Sequence, residues 1–569
     1  MILFYDWEVF KYDSLVVIVD PVNRNEYVFA NDRVGFIKFY NEHKNDIWVG
    51  FNSRDYDSWI TKAVIADFNP YDMNDWIINK KRKGWEFSSI LRDVQLYDFD
   101  CFTGYYGLKT LEAFQGNNIK ESSVPFNINR KLTPQELAET ISYCKTDVYE
   151  TIKVFLKRKE EFDAQMALLK EFNLSLQHIS KTKPKLSAHI LGAKKQYRND
   201  EFDFEIVDTL KLSKYKHIAN WYKNPLNHDY SKEQNVNVAG VPHLFKWGGL
   251  HGSRSNEIIE GFLVNMDVQS YYPSLMIEYG FGSRNCTKFY KFKEIYDTRL
   301  KLKAEGKKKE QAPFKIVLNS TYGAMKDKHN AMYDPRQVNN VCVNGQLLLL
   351  DLIEKVEGMC ELLNSNTDGI LVKLHRKEDF EKLKEICQEW QDRTRMTLEF
   401  DVYKKFIVKD VNNYLLIPSG PLYDDKGKPR WKSKGAYVKQ LNDLDNNLPI
   451  VNEAIVDYFI KKIPVEETIL KCNELKKFQQ IVKVSSNYDY AVHGCEKLKD
   501  KTLRIFASIN LYDRGVFKVK RGNYEKFADS PLNVFINNGD VNGLTVPMKL
   551  DKQYYIDLSK KRINQFMGV

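Results

Sequence analysis

Glycine and proline are scarce. The 28 Gly and 17 Pro make up about 8% of 569 residues, against a usual ~12%, which excludes a collagen-like or linker-dominated chain. No apolar run approaches the ~18 residues of a membrane-spanning helix. The longest, around residues 347–350, is bounded by Gln346 and Asp351. The first ten residues, MILFYDWEVF, lack a basic stretch and carry Asp6 and Glu8 where an export signal is apolar. The eight cysteines contain no CxxC pair, so neither a zinc ribbon nor a disulfide framework is expected. Internal repeats and low-complexity tracts are absent.

What is present is a chain that is 43% hydrophobic and 28% charged, able to bury a large core. Its length corresponds to about three or four domains. The net charge is +10, from 86 Lys+Arg against 76 Asp+Glu. Basic clusters fall at Lys80-Lys81-Arg82-Lys83, at 299–309 and at 518–521. Each alone fits a solvated surface; together they make a polyanion a plausible partner.

Residues 1–30 alternate apolar runs with turn residues, which predicts the start of an antiparallel sheet. Residues 47–51 predict another strand. From Leu132 the chain has helical periodicity as far as 162, with Thr133 and Pro134 as a start signal. Further helices are expected at 185–197, 208–223, 291–305, 313–325 and 346–357. A strand is expected at 262–268 and a hairpin over 362–374, apolar on both sides of Asn364-Ser365-Asn366-Thr367-Asp368-Gly369.

Phosphoryl transfer asks a protein for carboxylates that hold metal ions, and for cations near the phosphates. Two sparse constellations fit. Asp6 and Glu8 lie two apart on a strand and so share a face. Asn52, Tyr56 and Asp57 follow the 47–51 strand, and Tyr143 and Asp147 are i,i+4 on a strong helix. In the centre, Asp267 ends an apolar strand and Asp368 lies at the hairpin tip. Between them Lys315, Asn319 and Tyr322 share one helix face, a cation, an amide and an aromatic suited to a triphosphate, its sugar and a base.

The order DxE, Nx3YD, YxxxD, DxxSYYPS, Kx3NSxYG, TDG resembles the family B DNA polymerases with a 3′–5′ proofreading exonuclease, with the closest likeness to compact bacteriophage members. The resemblance implies an α/β multidomain fold: an RNase H-like exonuclease domain at 1–185, a palm at 186–289 and 327–395, short two-helix fingers at 290–326, and a thumb and C-terminal region at 396–569. It implies Asp6, Glu8, Asp57 and Asp147 as exonuclease carboxylates with Tyr143 beside them, and Asn52 and Tyr56 as ligands of a single-stranded primer end. In the palm it implies Asp267 and Asp368 as metal ligands, with the Val268 backbone. Tyr272 matches the tyrosine under the deoxyribose. Lys315 and Asn319 match residues that face the incoming dNTP, Arg299 and Lys303 resemble the family's other triphosphate-binding cations, and Tyr322 and Gly323 match the pair at the nascent base pair. Gly248, Gly249, Tyr414 and Lys434 match DNA-contacting motifs. The resemblance implies Mg²⁺ as cofactor, with Mn²⁺ as an alternative, two ions per site. The expected partners are primer–template DNA and dNTPs, with room for unidentified accessory replication proteins and with no membrane. The expected state is a monomer in the cytoplasm of an infected bacterial host.

The chain departs from the family pattern at three places. Lys246 stands where an aromatic precedes the Gly pair, Asn412 where a lysine precedes Tyr414, and Asn366 where the palm hairpin has its first aspartate. The last removes a negative charge near the metals, so weaker metal binding or a shifted metal preference is expected. The competing reading is a nuclease with a degenerate polymerase site. The intervals from Asp267 to Asn319 and from Asn319 to Asp368 leave no room for the insertions of protein-primed phage members, so extension of ordinary RNA or DNA primers is expected.

Overall fold

Strand β1 (Ile2–Val9) is apolar on both faces because both are covered. One face, Leu3, Tyr5 and Trp7, enters a core with Phe36, Trp48 and Ile60. On the other, Phe4 meets Phe155 with ring centroids 5.1 Å apart. Asp6 and Glu8 share that second face. β2 (Ser14–Asp20) and β3 (Asn25–Ala30) continue antiparallel from β1, as the alternation predicts. β4 (Ile47–Gly50) and β5 (Tyr97–Asp100) are parallel additions on the other side, giving the order β3-β2-β1-β4-β5.

The computed structural model describes every residue but Ala436. The chain is mixed α/β and forms two compact units. The first contains Met1–Lys181, Leu441–Ile450 and Ile469–Ile556; the second contains Thr182–Gln440, Val451–Thr468 and Asp557–Val569. No helix among the described residues is long and apolar enough to cross a membrane.

Three helices position side chains in the first unit: α1 (Asp57–Ile65), α2 (Leu108–Phe114) and α3 (Pro134–Lys157). α3 starts where expected, and a capping box fixes it. Thr133 Oγ1 accepts the Glu136 N–H at 3.2 Å, and the Glu136 carboxylate accepts the Thr133 N–H at 2.8 Å. The expected single helix to 162 is broken at Arg158, which leaves helical geometry (φ −109°). A second helix, Lys159–Glu171, follows. The bend lets both Phe155 and Phe162 pack on Phe99.

The first unit also holds a buried arginine. Arg504, on the strand Thr502–Ala507, has no carboxylate among its described hydrogen-bond partners. Its guanidinium donates to the carbonyls of Ala113, Asn117, Asn537 and Gly539 and to Gln479 Oε1. Burial lowers its pKa to about 10. It ties the C-terminal end of α2 to this strand.

The second unit is built on a nine-stranded sheet: β6 (Glu233–Val238), β7 (Val241–Lys246), β8 (His251–Ser253), β9 (Glu257–Val268), β10 (Cys360–Asn366), β11 (Gly369–Leu374), β12 (Leu398–Asp410), β13 (Asn413–Pro418) and β14 (Lys432–Lys434). The order is β14-β13-β12-β9-β11-β10-β8-β7-β6. β9 extends further back than the expected 262 start, and the β10–β11 hairpin forms as expected. α4 (Tyr271–Glu278) follows β9 directly; α5 (Tyr290–Ala304) and α6 (Ala312–Lys326) come next, close to the expected bounds.

α7 (Pro335–Val356) begins eleven residues before the expected 346 start. Its first half is rich in buried polar residues, which hid it from an apolar pattern. Asn344 Oδ1 accepts the Val207 N–H at 2.9 Å and its Nδ2 donates to Glu205 O at 2.7 Å; Asn340 accepts the Glu205 N–H at 2.8 Å. Asp351 accepts the Lys211 N–H at 2.7 Å. These clamps hold residues 205–211 in a non-helical path with a turn at 208–209, so the helix expected over 208–223 is confined to Lys216–Lys223. The helix expected over 185–197 is Lys183–Ile190, ending before Gly192 at φ +64°.

Candidate active sites

The first site lies between β1, α1, α2 and α3. Asp6, Glu8 and the Cys144 thiol present ligand atoms all within 4.8 Å of one another. Asp57, the first residue of α1, accepts the Trp7 N–H at 3.1 Å, which draws it to β1. Asp147, from α3, faces the same space. Burial and mutual repulsion dominate the electrostatics. The Asp6 carboxyl is pushed up to about 8, first by burial and then by Asp147. Glu8 and Asp57 are raised by burial and then by Asp6, and Asp147 is raised by burial. Burial and the neighbouring carboxylates also raise the Tyr143 phenol, so it stays protonated and donates to Asp147.

Sequence reasoning missed Lys109. Its ammonium contacts the Asp147 carboxylate, lies 2.9 Å from Glu112 Oε1 and stands 4.7 Å from the Tyr143 ring centroid. The available signal was only a lysine at the start of a short helix.

The loop before α1 is held by two further acids that the motif did not include. Asp100 Oδ1 accepts the N–H groups of Asn52 and Phe102, each at 2.8 Å. Asp98 accepts Tyr5 Oη at 2.9 Å and Ser53 Oγ at 3.1 Å, and burial pushes it up to about 7. These bonds stabilise Asn52 at φ +62°, a left-handed conformation that asparagine tolerates. The Tyr56 hydroxyl donates to Asn74 Oδ1 at 2.8 Å.

A hard divalent cation fits this donor set. Carboxylate oxygens predominate, and their crowding raises each pKa in a way that a cation reverses. The Cys144 thiol is buried and raised, and it donates to Asp6 O at 3.3 Å, so it orients Asp6 as a neutral group.

The second site lies at the C-terminal end of β9. Asp267 stands opposite Gly369 of β11 on one side and Glu399 of β12 on the other. Asp401, opposite Asn265, shares that face. Asp368 occupies the β10–β11 turn, and its carbonyl accepts the Val268 N–H at 2.7 Å. Burial raises both carboxyls; Lys432 lowers Asp267, and Asp267 further raises Asp368. The two acids therefore sense each other, and their oxygens also suit a hard cation.

Arg299 Nη1 donates to Ser270 Oγ at 2.6 Å, while its buried Nε has no partner among the described residues. Ser270 precedes α4 at φ +49°. Tyr272 and Tyr322 are brought together, ring centroids 4.5 Å apart. Lys315, Asn319 and Gly323 are exposed along one face of α6. Lys303 is engaged otherwise: its ammonium lies 2.7 Å from Glu399 Oε1.

Gly249 sits under the hairpin turn, where a Cβ would come 2.9 Å from Thr367 Oγ1; around Gly248 the space is open. Asn366 faces His251, its partner across β8–β10, and makes polar contact with the Tyr414 side chain. Tyr414 pairs with Lys434, whose Nζ is 3.5 Å from Val411 O. Lys432, Asp401 and Glu399 were not singled out from sequence. Lys432 Nζ lies 3.6 Å from Asp267 Oδ2 and 3.0 Å from Asp401 Oδ2.

No family model and no curated protein matches the sequence. Among solved structures, the chain is similar to the family B DNA polymerase from the hyperthermophilic archaeon Pyrobaculum calidifontis. The two are 14% identical, the match covers 100% of this chain and 78% of that one, and the TM-score is 0.44.

Proposed function

We propose that the protein is a template-directed DNA polymerase with a 3′–5′ proofreading exonuclease. The observation that carries this reading is the pairing of β9 with β11, which sets Asp267 beside the turn that bears Asp368. The six ordered sequence motifs support it, as does the separate carboxylate cluster of Asp6, Glu8, Asp57 and Asp147. The short intervals between the palm and fingers motifs support extension of ordinary primers, in a phage replicative role.

In the polymerase site Asp267 and Asp368, with the Val268 carbonyl, would hold divalent cations, Mg²⁺ or Mn²⁺. Such ions supply activation of the primer 3′-hydroxyl and neutralisation of the triphosphate. Lys315 and the half-satisfied Arg299 guanidinium neutralise charge developing toward pyrophosphate. Tyr272, its ring tilted against that of Tyr322, supports the sugar and limits space at its 2′ position, while Asn319 faces the incoming triphosphate and Tyr322 and Gly323 line the approach of the nascent pair. Lys303 joins the triphosphate only by leaving Glu399. Gly248, Gly249, Tyr414 and Lys434 line the primer strand.

In the exonuclease site Asp6, Glu8, Asp57 and Asp147 would hold the cations. The Tyr143 hydroxyl, which donates to Asp147, accepts a hydrogen bond from the attacking water and so orients it, and Asn52 and Tyr56 grip the frayed 3′ end.

The test is extension of a 5′-labelled primer on a template with Mg²⁺, with and without dNTPs, beside Asp267→Ala and Asp6→Ala. Extension lost in Asp267→Ala, and shortening lost in Asp6→Ala, are the expected results. Shortening alone in both Mg²⁺ and Mn²⁺ overturns the polymerase assignment and leaves a nuclease, the outcome to which Asn366 would point.

A further inference from the structure

Lys432 lies on the outermost strand of the nine-stranded sheet, three places from β9, yet its ammonium reaches Asp267. It has two acidic seats, Asp267 at 3.6 Å and Asp401 at 3.0 Å, with the Tyr403 ring centroid 5.5 Å away. Of the other lysines nearby, Lys303 is held by Glu399, and Lys434 acts on Asp368. Lys432 is thus the one ion-pair partner of Asp267 among the described residues. A half-exposed ion pair of this kind adds little to stability, so its placement calls for another role.

We propose that Lys432 is a built-in counter-ion of Asp267 that competes with the divalent cation for that carboxylate and so sets the metal affinity of the polymerase site. The inference rests on the reading of Asp267 as a metal ligand. An ammonium and a divalent cation repel at one carboxylate, so each disfavours the other there. Asp401 gives the ammonium a second seat close by, which keeps it paired when Asp267 is taken. Asn366 contributes no charge to the site, so one ammonium offsets a large share of the negative charge that attracts metal.

The experiment measures Mn²⁺ binding to the full chain by electron paramagnetic resonance, in a background of Asp6→Asn and Glu8→Gln that silences the other cluster. Lys432→Met should tighten Mn²⁺ binding by roughly 3- to 10-fold. Asp401→Asn should weaken it, because the ammonium then rests on Asp267 alone. Unchanged or weaker binding in Lys432→Met overturns the proposal. A loss of primer–template affinity in EDTA with unchanged Mn²⁺ affinity does so too, and assigns Lys432 to DNA phosphates. Asp267→Asn separates the two levels of the argument. If it leaves Mn²⁺ binding intact, the palm reading itself falls. If it abolishes binding while Lys432→Met has no effect, only the counter-ion role falls.

Discussion

Gly369 stands directly opposite Asp267 in the β9–β11 pair, so close that a Cβ at residue 369 would run into the Asp267 carboxylate and the Met266 carbonyl. The backbone atoms on the opposing strand cannot yield as the end of a flexible side chain can. Gly369→Ala is therefore expected to displace Asp267 and to lower primer extension by about 100-fold, the cost of an ångström-scale misplacement. Exonuclease activity on single-stranded DNA should be unchanged. Comparing the two rates in one preparation checks this.

Asp100 does for the exonuclease loop what Gly369 does for the palm hairpin. Asp100→Ala strips the acceptor from the Asn52 and Phe102 N–H groups. It should cost about 1–3 kcal/mol through unpaired donors and reduce exonuclease activity, with extension retained. Denaturant unfolding and paired activity assays measure both effects.

Removal of Arg504 leaves four carbonyls and Gln479 Oε1 without its donors. Arg504→Met should destabilise the first unit by about 3 kcal/mol or more. Arg504→Lys should recover little, because an ammonium has fewer donors than the planar fork it replaces. Thermal denaturation of the three proteins decides it.

The carboxylate cluster makes stability pH-dependent. Asp6 is raised from 3.8 to about 8, and Glu8 and Asp57 move the same way, so the folded chain binds more protons than the unfolded one within that window. In EDTA, stability should fall as pH rises toward about 8. Mg²⁺ should restore it, most strongly at the alkaline end, where the carboxylates are ionised. Asp6→Asn with Glu8→Gln should flatten the profile. Melting temperature against pH, with and without Mg²⁺, gives the sign directly.

Much of this was legible in the sequence because it was local. The two-residue spacing of Asp6 and Glu8, the i,i+4 pair Tyr143 and Asp147, and the hairpin that carries Asp368 are consequences of strand and helix periods. The Thr133-Pro134 start of α3 is a local signal as well. The break at Arg158 was not visible, because its reason is the packing of Phe155 and Phe162 on Phe99, a residue distant in sequence. The front half of α7 was hidden because its asparagines clamp backbone rather than face solvent.

Which acids stand at strand ends and which side chains share a face could be read along the chain, since strand and helix geometry sets both. Which cations meet those acids is set by the folding of distant segments onto one another. Lys109 reaches Asp147, Lys432 reaches Asp267 and Asp401, and Lys303 is held by Glu399. A lysine's partner depends on where a flexible side chain ends in three dimensions, and neither period nor spacing encodes that.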